Sequence, residues 1–257
     1  MPRLRTVSTV VMAVLLATAT HVASAETLKV SAAASLTEAF QEIARAFEKA
    51  RPGDSVELNL AGSQVLRTQI EQGAPVDVFA SADLAHADAL KASGLLGPYK
   101  VFARNKVVVV VPAHESKVGR LQDLARPGIK VVVAGAAVPV GRYTTQVLAK
   151  LAAAGLFGDD FQARVQANVA SQETNVRAVL SKVALGEADA GFVYTTDAAT
   201  VPDKVRTIDI PSRYNVVAEY PIGIVAKSTA ADKAKAFVAI VLGDEGQAIL
   251  RRYGFAR

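Results

Sequence analysis

The chain of 257 residues contains no cysteine, no tryptophan and only three histidines. The lack of cysteine excludes disulfides, thiolate metal sites and a cysteine nucleophile. Lysine and arginine outnumber aspartate and glutamate by 29 to 24, without any long basic run. Because nucleic-acid interfaces present a basic stripe with stacking aromatics, we expect no nucleic-acid partner.

The sequence also lacks the signatures of common enzyme classes. His86 and His114 lie in no His-Glu-x-x-His pattern, and no Gly-x-Ser-x-Gly elbow, Walker loop or GxGxxG occurs. We expect His86 on the surface and His114 in a loop. The sequence therefore favours a binding protein over an enzyme, with a hydrolase built on a scattered triad as the enzymatic alternative.

Long apolar runs are confined to the N-terminus. Arg3 and Arg5 precede an apolar stretch, Val10–Ala19, and then the small residues Ala23-Ser24-Ala25. This pattern predicts a signal peptide over residues 1–25, although a retained membrane anchor is the alternative. Since no cysteine lies near the cleavage site, we expect a periplasmic protein without a lipid anchor.

The rest of the chain alternates between strand-length apolar runs and helical patterns, which is typical of an α/β fold with mainly parallel sheets. The predicted strands are 27–32, 55–60, 77–80, 106–111, 130–134, 164–168, 191–194 and 221–225. The predicted helices are 36–50, 65–72, 82–93, 143–153, 176–185, 231–242 and 244–253.

Two chain crossings are predicted, one near Arg104-Asn105 and one near residues 218–220. They divide the chain into lobe I, residues 26–104 plus 219–257, and lobe II, residues 105–218. The two crossing strands would form a hinge between the lobes. A single continuous sheet is the alternative.

Four segments repeat one device, in which a strand runs through a small or polar turn into a helix. In the first, Ser35 is followed three residues later by Glu38, which predicts a capping box. The others lie at Gly62-Ser63, at residues 138–143 and at Thr174-Asn175. Free N–H groups and the helix dipole at such helix starts favour an anion. Each alone is more simply an ordinary cap, but the repetition indicates an oxyanion site.

Several motifs together resemble the family of periplasmic molybdate-binding proteins of ABC transporters. They occur in the family's order and span nearly all of the chain beyond residue 25. The motifs are Ala32–Thr37, Gln69–Asp83, Val138–Tyr143, Gly186–Tyr194 and Arg252–Phe255. The resemblance implies a two-lobed class II periplasmic binding protein that closes on a tetrahedral oxyanion.

The resemblance also implies five ligand-binding residues. Ser35, Ser63 and Tyr194 would donate through side chains, while Val140 and Val176 would donate backbone N–H groups. Gly62-Ser63 departs from the family's pattern, which has a run of serines at that point. Two charged residues near these positions, Glu173 and Arg142, are expected to face solvent rather than the ligand.

All of these ligand groups are uncharged donors, and this chemistry predicts the class of ligand. Near neutral pH, phosphate keeps an O–H group that would find no acceptor among these donors. Molybdate, tungstate and sulfate carry no such proton. We therefore expect molybdate and tungstate to bind, sulfate to bind weakly, and no cofactor or metal beyond the oxyanion itself. The expected partner of a monomeric receptor is a membrane permease. Receptors for sulfate or a small organic anion, and a sensory receptor, are the alternatives.

Overall fold

The computed structural model describes residues 27–257. The predicted signal peptide lies outside the described residues. Within them, nine strands form: β1 (Thr27–Ala33), β2 (Ser55–Ala61), β3 (Val78–Ala80), β4 (Leu96–Pro112), β5 (Val131–Ala134), β6 (Val169–Glu173), β7 (Ala190–Tyr194), β8 (Val205–Asp209) and β9 (Val217–Val225).

The same part of the chain forms nine α-helices: α1 (Thr37–Ala50), α2 (Ser63–Glu71), α3 (Leu84–Ala92), α4 (Pro139–Ala153), α5 (Phe161–Ala167), α6 (Val176–Ala184), α7 (Thr195–Ala198), α8 (Ala231–Leu242) and α9 (Asp244–Arg252). Short 3-10 turns lie at Ala34–Leu36 and Leu121–Ala125. No helix among residues 27–257 has both the length and the apolar character needed to cross a bilayer.

The strands lie in the order β2-β1-β3-β9-β4-β7-β5-β6, and β8 also pairs with β4. We call β1–β3 the first strand group and β5–β8 the second. Parallel pairs join β1 to β2 and β3, and join β5 to β6 and β7. The expectation of mainly parallel sheets holds for these pairs within each group, but not for β4 and β9, which run antiparallel to each other and to their neighbours.

Strand β4 connects the two groups. Its first part, from Leu96 to Lys106, pairs with β9, and its second part pairs with β7 and β8. Residues Val107–Val111 in the second part are all buried. A continuous β-branched run is typical of a strand that is covered on both faces.

Helix α1 packs on the first strand group through an apolar stripe. Phe40, Ile43 and Phe47 are fully buried and lie three or four residues apart, so that they share one helix face. The ring of Phe237 in α8 contacts Phe40 and Phe47 at centroid distances of 6.0 and 5.7 Å. This packing fixes the start of α1 next to the end of β1.

Two local predictions are wrong. Residues 164–168, predicted as a strand, lie mostly in α5, where Phe161 and Val165 bury one helix face at a spacing of four. The capping box does not form either. Ser35 lies inside the 3-10 turn, Ala33 occupies the cap position without a side-chain bond, and Glu38 bonds to Arg177 instead. The tertiary contact with a guanidinium replaces the local one.

Candidate functional site

A small cavity lies between the two strand groups, where several strands end and helices begin. Its empty volume, including the space that is open to solvent, is about 210 Å³. None of the lining residues is charged. They are Ala33, Ala34, Ser35, Ala61, Gly62, Ser63, Ala82, Val138, Pro139, Val140, Asn175, Val176 and Tyr194.

Four helix starts meet at this cavity: the 3-10 turn after β1 and helices α2, α4 and α6. No side chain caps the first three, and none of the four has an acidic residue in its first turn. The first N–H groups of a helix have no intrahelical acceptor and carry partial positive charge. The cavity wall therefore presents backbone N–H donors, and no acidic side chain in the wall pairs with them.

Both serine hydroxyls of the cavity have a protein neighbour that can act as donor. Ser63 Oγ accepts a hydrogen bond from the backbone N–H of Ala82 at 3.1 Å. Ser35 Oγ lies 3.0 Å from the hydroxyl of Tyr220 in β9. A hydroxyl carries one proton and two lone pairs, so an accepted bond leaves its own proton free to donate. Ser63 thus keeps its proton for a ligand, and Ser35 does so when Tyr220 is the donor of their shared bond.

Tyr194 is the third hydroxyl of the cavity. The residue is 1 % exposed, and its Oη has no hydrogen-bond partner among the described residues. Its ring is held edge-on between Tyr143 and Tyr220, at centroid distances of 6.4 and 5.9 Å. Burial raises the pKa of Tyr194 well above its usual value, so the phenol stays protonated at neutral pH.

All five sequence-predicted residues line this one cavity: Ser35, Ser63, Val140, Val176 and Tyr194. Helix α4 begins at Pro139, earlier than predicted, which puts Val140 in the first turn. Val176 is the first residue of α6. The structure brings the five positions together, and their role as ligands stays a prediction.

Six contacts join the two sides of the cleft around the cavity. Through these contacts, residues on opposite sides of the cavity touch each other directly. The contacts are Gln64 Nε2 to Thr174 O (2.7 Å), Tyr143 Oη to Ala82 O (3.3 Å), His86 Nε2 to Ala137 O (2.9 Å), Arg142 Nη2 to Asp83 Oδ2 (3.0 Å), and Arg177 to Glu38 through Nη1 (2.9 Å) and Nη2 (2.5 Å).

Two expectations about nearby residues are wrong. Glu173 does not face solvent, since its Oε1 lies 2.6 Å from Lys182 Nζ and accepts from Ser171 Oγ. The bond from Lys182 lowers the pKa of Glu173. His86 is buried rather than on the surface, and desolvation lowers its pKa. Both side chains lie outside the cavity wall.

Arg142 has a charged partner that the sequence did not predict, whereas His114 lies where the sequence predicts it. Arg142 is half-exposed and does not line the cavity, but it is paired with the buried carboxylate of Asp83 rather than freely solvated. His114 is exposed in a loop, as expected. Within residues 27–257, no group of three His, Asp or Glu is placed to hold a metal ion.

Sequence reasoning missed two features behind the cavity. One is Tyr220, whose hydroxyl reaches Ser35 across 185 positions in the chain. The other is an ion-pair chain of Glu38, Arg177 and Asp197. The sequence contains one hint of this ion-pair chain, because Glu38 and Asp197 each follow a predicted ligand residue by three positions.

Residues 28–256 match the family of bacterial extracellular solute-binding proteins. The chain is 38% identical over 235 residues to the molybdate-binding protein ModA of Mycobacterium tuberculosis, which covers 91% of this chain and 85% of that protein. It resembles the structure of the Azotobacter vinelandii periplasmic molybdate-binding protein, with 25% identity, a TM-score of 0.77 and coverage of 90% and 99%. The sulfate-binding protein SubI of M. tuberculosis shares the fold, with 20% identity, a TM-score of 0.80 and coverage of 89% and 86%. The chain therefore belongs to the bacterial extracellular solute-binding proteins, in the family of the ModA molybdate-binding proteins.

Proposed function

We propose that this protein captures molybdate, and also tungstate, outside the cytoplasm and delivers it to the membrane permease of an ABC transporter. The observation that carries the proposal is the donor set of the cavity. Three hydroxyls that can each donate a proton meet four helix starts in a cavity whose lining residues are all uncharged. Two relatives with this fold are named as molybdate-binding proteins, and molybdate is an anion that such donors would bind.

The donor count is sufficient for tight binding. Each hydrogen bond to a charged acceptor contributes about 1.5–3 kcal/mol. Five such bonds together contribute roughly 7.5–15 kcal/mol, and the middle of that range exceeds the roughly 8 kcal/mol that corresponds to micromolar affinity. No arginine or lysine is needed in the wall, which avoids the cost of desolvating a second charge.

The same donor set supports discrimination between oxyanions. None of the lining side chains is a carboxylate that could accept the proton of hydrogen phosphate. Molybdate and tungstate carry no proton at neutral pH and are almost equal in size. Sulfate is also unprotonated but smaller, so its weaker binding would follow from longer hydrogen bonds in the same cavity.

We also propose that the two sides of the cavity are lobes that move. Lobe I would comprise residues 26–104 and 219–257 and lobe II residues 105–218, with β4 and β9 as the hinge strands. In support, β4 changes partners from β9 to β7 and β8 near Lys106, beside the proposed boundary. Ser35 and Ser63 would hold the ligand on lobe I, and Val140, Val176 and Tyr194 would complete the shell on closure.

Export to the periplasm by the signal peptide, without a lipid anchor, is part of this proposal. The family description places such proteins outside the cell. The chain has no cysteine that could carry a lipid. Mass spectrometry of the protein recovered from the periplasm tests both points, because cleavage after Ala25 without added mass is expected.

Isothermal titration of the ligand-stripped protein tests the proposed ligand. Molybdate, tungstate, sulfate and phosphate are titrated separately at neutral pH. One-to-one binding of molybdate and tungstate, with sulfate at least tenfold weaker and phosphate silent, is expected. Equal binding of phosphate would refute the donor-only argument.

A sulfate receptor is the second candidate, because the donor set suits any unprotonated dianion and the fold is shared with a sulfate-binding protein. That structural likeness concerns the fold alone. Tighter binding of sulfate than of molybdate in the same titration would favour this candidate.

A further inference from the structure

Behind the cavity, a chain of charged groups crosses from one side of the cleft to the other. Glu38 lies in the first turn of α1, Arg177 is the second residue of α6, and Asp197 lies in α7. Arg177 donates to both carboxylate oxygens of Glu38, at 2.9 and 2.5 Å. Its Nε lies 2.6 Å from Asp197 Oδ1. Arg177 therefore bridges two carboxylates.

The two ends of this chain differ in burial. Asp197 is fully buried, and the side chain of Glu38 is 35% exposed. Asp197 and Arg177 both belong to residues 105–218, so this pair would persist if the proposed lobes moved apart. Glu38 belongs to the proposed lobe I, so its bond with Arg177 would break if the lobes moved apart. A bidentate guanidinium–carboxylate pair needs one specific geometry. It would therefore form only when the two sides of the cleft are in their closed position.

Asp197 also contacts the backbone of a proposed ligand residue. Its Oδ2 accepts a hydrogen bond from the N–H of Tyr194 at 3.2 Å. The Arg177 side chain has a further anchor, since Nη1 donates to Thr200 Oγ1 at 3.2 Å. Asp197 therefore anchors the backbone of Tyr194, and Arg177 in turn pairs with Asp197.

Each member of the charged chain is a near neighbour of a cavity residue. Glu38 follows Ser35 by three positions, Arg177 follows Val176 directly, and Asp197 follows Tyr194 by three positions. The same three turns therefore present donors to the cavity on one side and ion-pair partners on the other.

We propose that Arg177 is a positioning residue that couples closure of the cleft to the placement of Tyr194, with Glu38 as the group that locks the closed state. This rests on the proposed function, since the closed state is the one that holds the oxyanion. Loss of Glu38 opens the closed complex more easily, so that bound molybdate escapes faster. None of the three charged side chains lines the cavity.

The chain offers a matched control for Glu38. Glu42 lies one turn further along α1 and is similarly exposed, and it pairs with Arg252 on the same side of the cleft. Glu38→Gln and Glu42→Gln each remove one negative charge from α1, so any change in long-range attraction for an anion is similar. They differ in whether the lost ion pair crosses the cleft.

The experiment measures molybdate affinity by titration and the radius of gyration by small-angle scattering, on protein exported from the full-length gene. We expect Glu38→Gln to raise the dissociation constant about tenfold and Glu42→Gln to change it less than twofold. Without ligand, Glu38→Gln is expected to have the larger radius of gyration of the two. Identical affinity and radius in both variants would overturn the inference.

A double-variant background separates this role from a general loss of structure. Arg177→Met combined with Asp197→Asn removes the guanidinium without leaving a buried carboxylate unpaired. Adding Glu38→Gln to that background should change molybdate affinity less than twofold, and a further tenfold loss would refute action through Arg177. If the parent binds no oxyanion, the proposed function fails, and the comparison of radii alone then decides the inference.

Discussion

The Tyr220 hydroxyl in β9 lies 3.0 Å from Ser35 Oγ, in the turn that follows β1. Both residues are buried, and the Tyr220 ring also packs edge-on against Tyr194 at 5.9 Å. One residue therefore supports two of the three hydroxyls of the cavity. When Tyr220 donates to Ser35, the serine proton is directed to the ligand.

Tyr220→Phe should weaken molybdate binding by about three- to tenfold, because the Ser35 hydroxyl loses the neighbour that orients it and a neutral hydrogen bond contributes about 0.5–1.5 kcal/mol. Isothermal titration measures the change. Tyr214→Phe is the control, since Tyr214 lies under Arg213 and does not line the cavity. Equal affinities of both variants and the parent would refute a role for Tyr220.

Tyr194→Phe should move affinity and stability differently. Removing the hydroxyl costs one bond to an anion, so the dissociation constant should rise by about 10- to 100-fold. The ligand-free protein should be as stable as the parent or more stable, because the removed hydroxyl is buried without a partner. Titration and denaturant unfolding test the two parts. If Tyr194→Phe lowers both the molybdate affinity and the stability of the ligand-free protein, the hydroxyl has a structural role.

Gly62→Ala should impair closure rather than folding. The backbone φ of Gly62 is −62°, which alanine adopts freely, but a Cβ there would overlap the Thr174 carbonyl oxygen and the Gln64 side chain. We expect molybdate affinity to fall more than tenfold, while the unfolding free energy of the ligand-free protein changes by less than about 1 kcal/mol. Gly119→Ala is the control, because Gly119 lies in an exposed loop where a Cβ would make only an ordinary contact of 3.6 Å with Asp123 Oδ2. Unchanged affinity in Gly62→Ala would contradict the closed contact.

The pH dependence of stability should carry a contribution from Asp197. Burial raises its pKa from 3.8 to about 6, although the Arg177 guanidinium acts in the opposite direction. The folded state therefore holds a proton that the unfolded state has lost, and stability falls as the pH rises through this window, by up to about 1.4 kcal/mol per pH unit. The expected signature is a stability difference, parent minus Asp197→Asn, that is smaller at pH 7 than at pH 4.5 in denaturant unfolding. A difference that grows with pH would show that Arg177 keeps the carboxylate ionised throughout.

The sequence predicted the strand-to-helix turns because local rules govern them. A small residue must follow the strand where the backbone turns sharply, and a helix start needs no distant partner to expose its N–H groups. Ser35, Ser63, Val140, Val176 and Tyr194 could be named because they lie at such turns or in motifs that resemble a known family. The resemblance, rather than spacing, singled out Tyr194 from other strand residues.

The local rules failed where a tertiary contact was stronger. Ser35 and Glu38 have the spacing of a capping box, but the carboxylate bonds to Arg177, and a charged pair exceeds a cap in strength. We expect His86 on the surface of the helix that follows Asp83, yet it is buried against the Ala137 carbonyl oxygen. Neither partner is near in sequence.

The sequence by itself determined the alternating α/β order and the absence of any thiol chemistry, since each follows from residue type or local pattern. The neutral candidate ligand groups came from the resemblance of its motifs to a known family. Only the tertiary structure decided which donors share a cavity, that Tyr220 supports Ser35, and that Arg177 joins Glu38 to Asp197. Those contacts link positions 185, 139 and 20 residues apart. Their geometry depends on how the strand groups meet along β4 and β9, which no local pattern in the chain encodes.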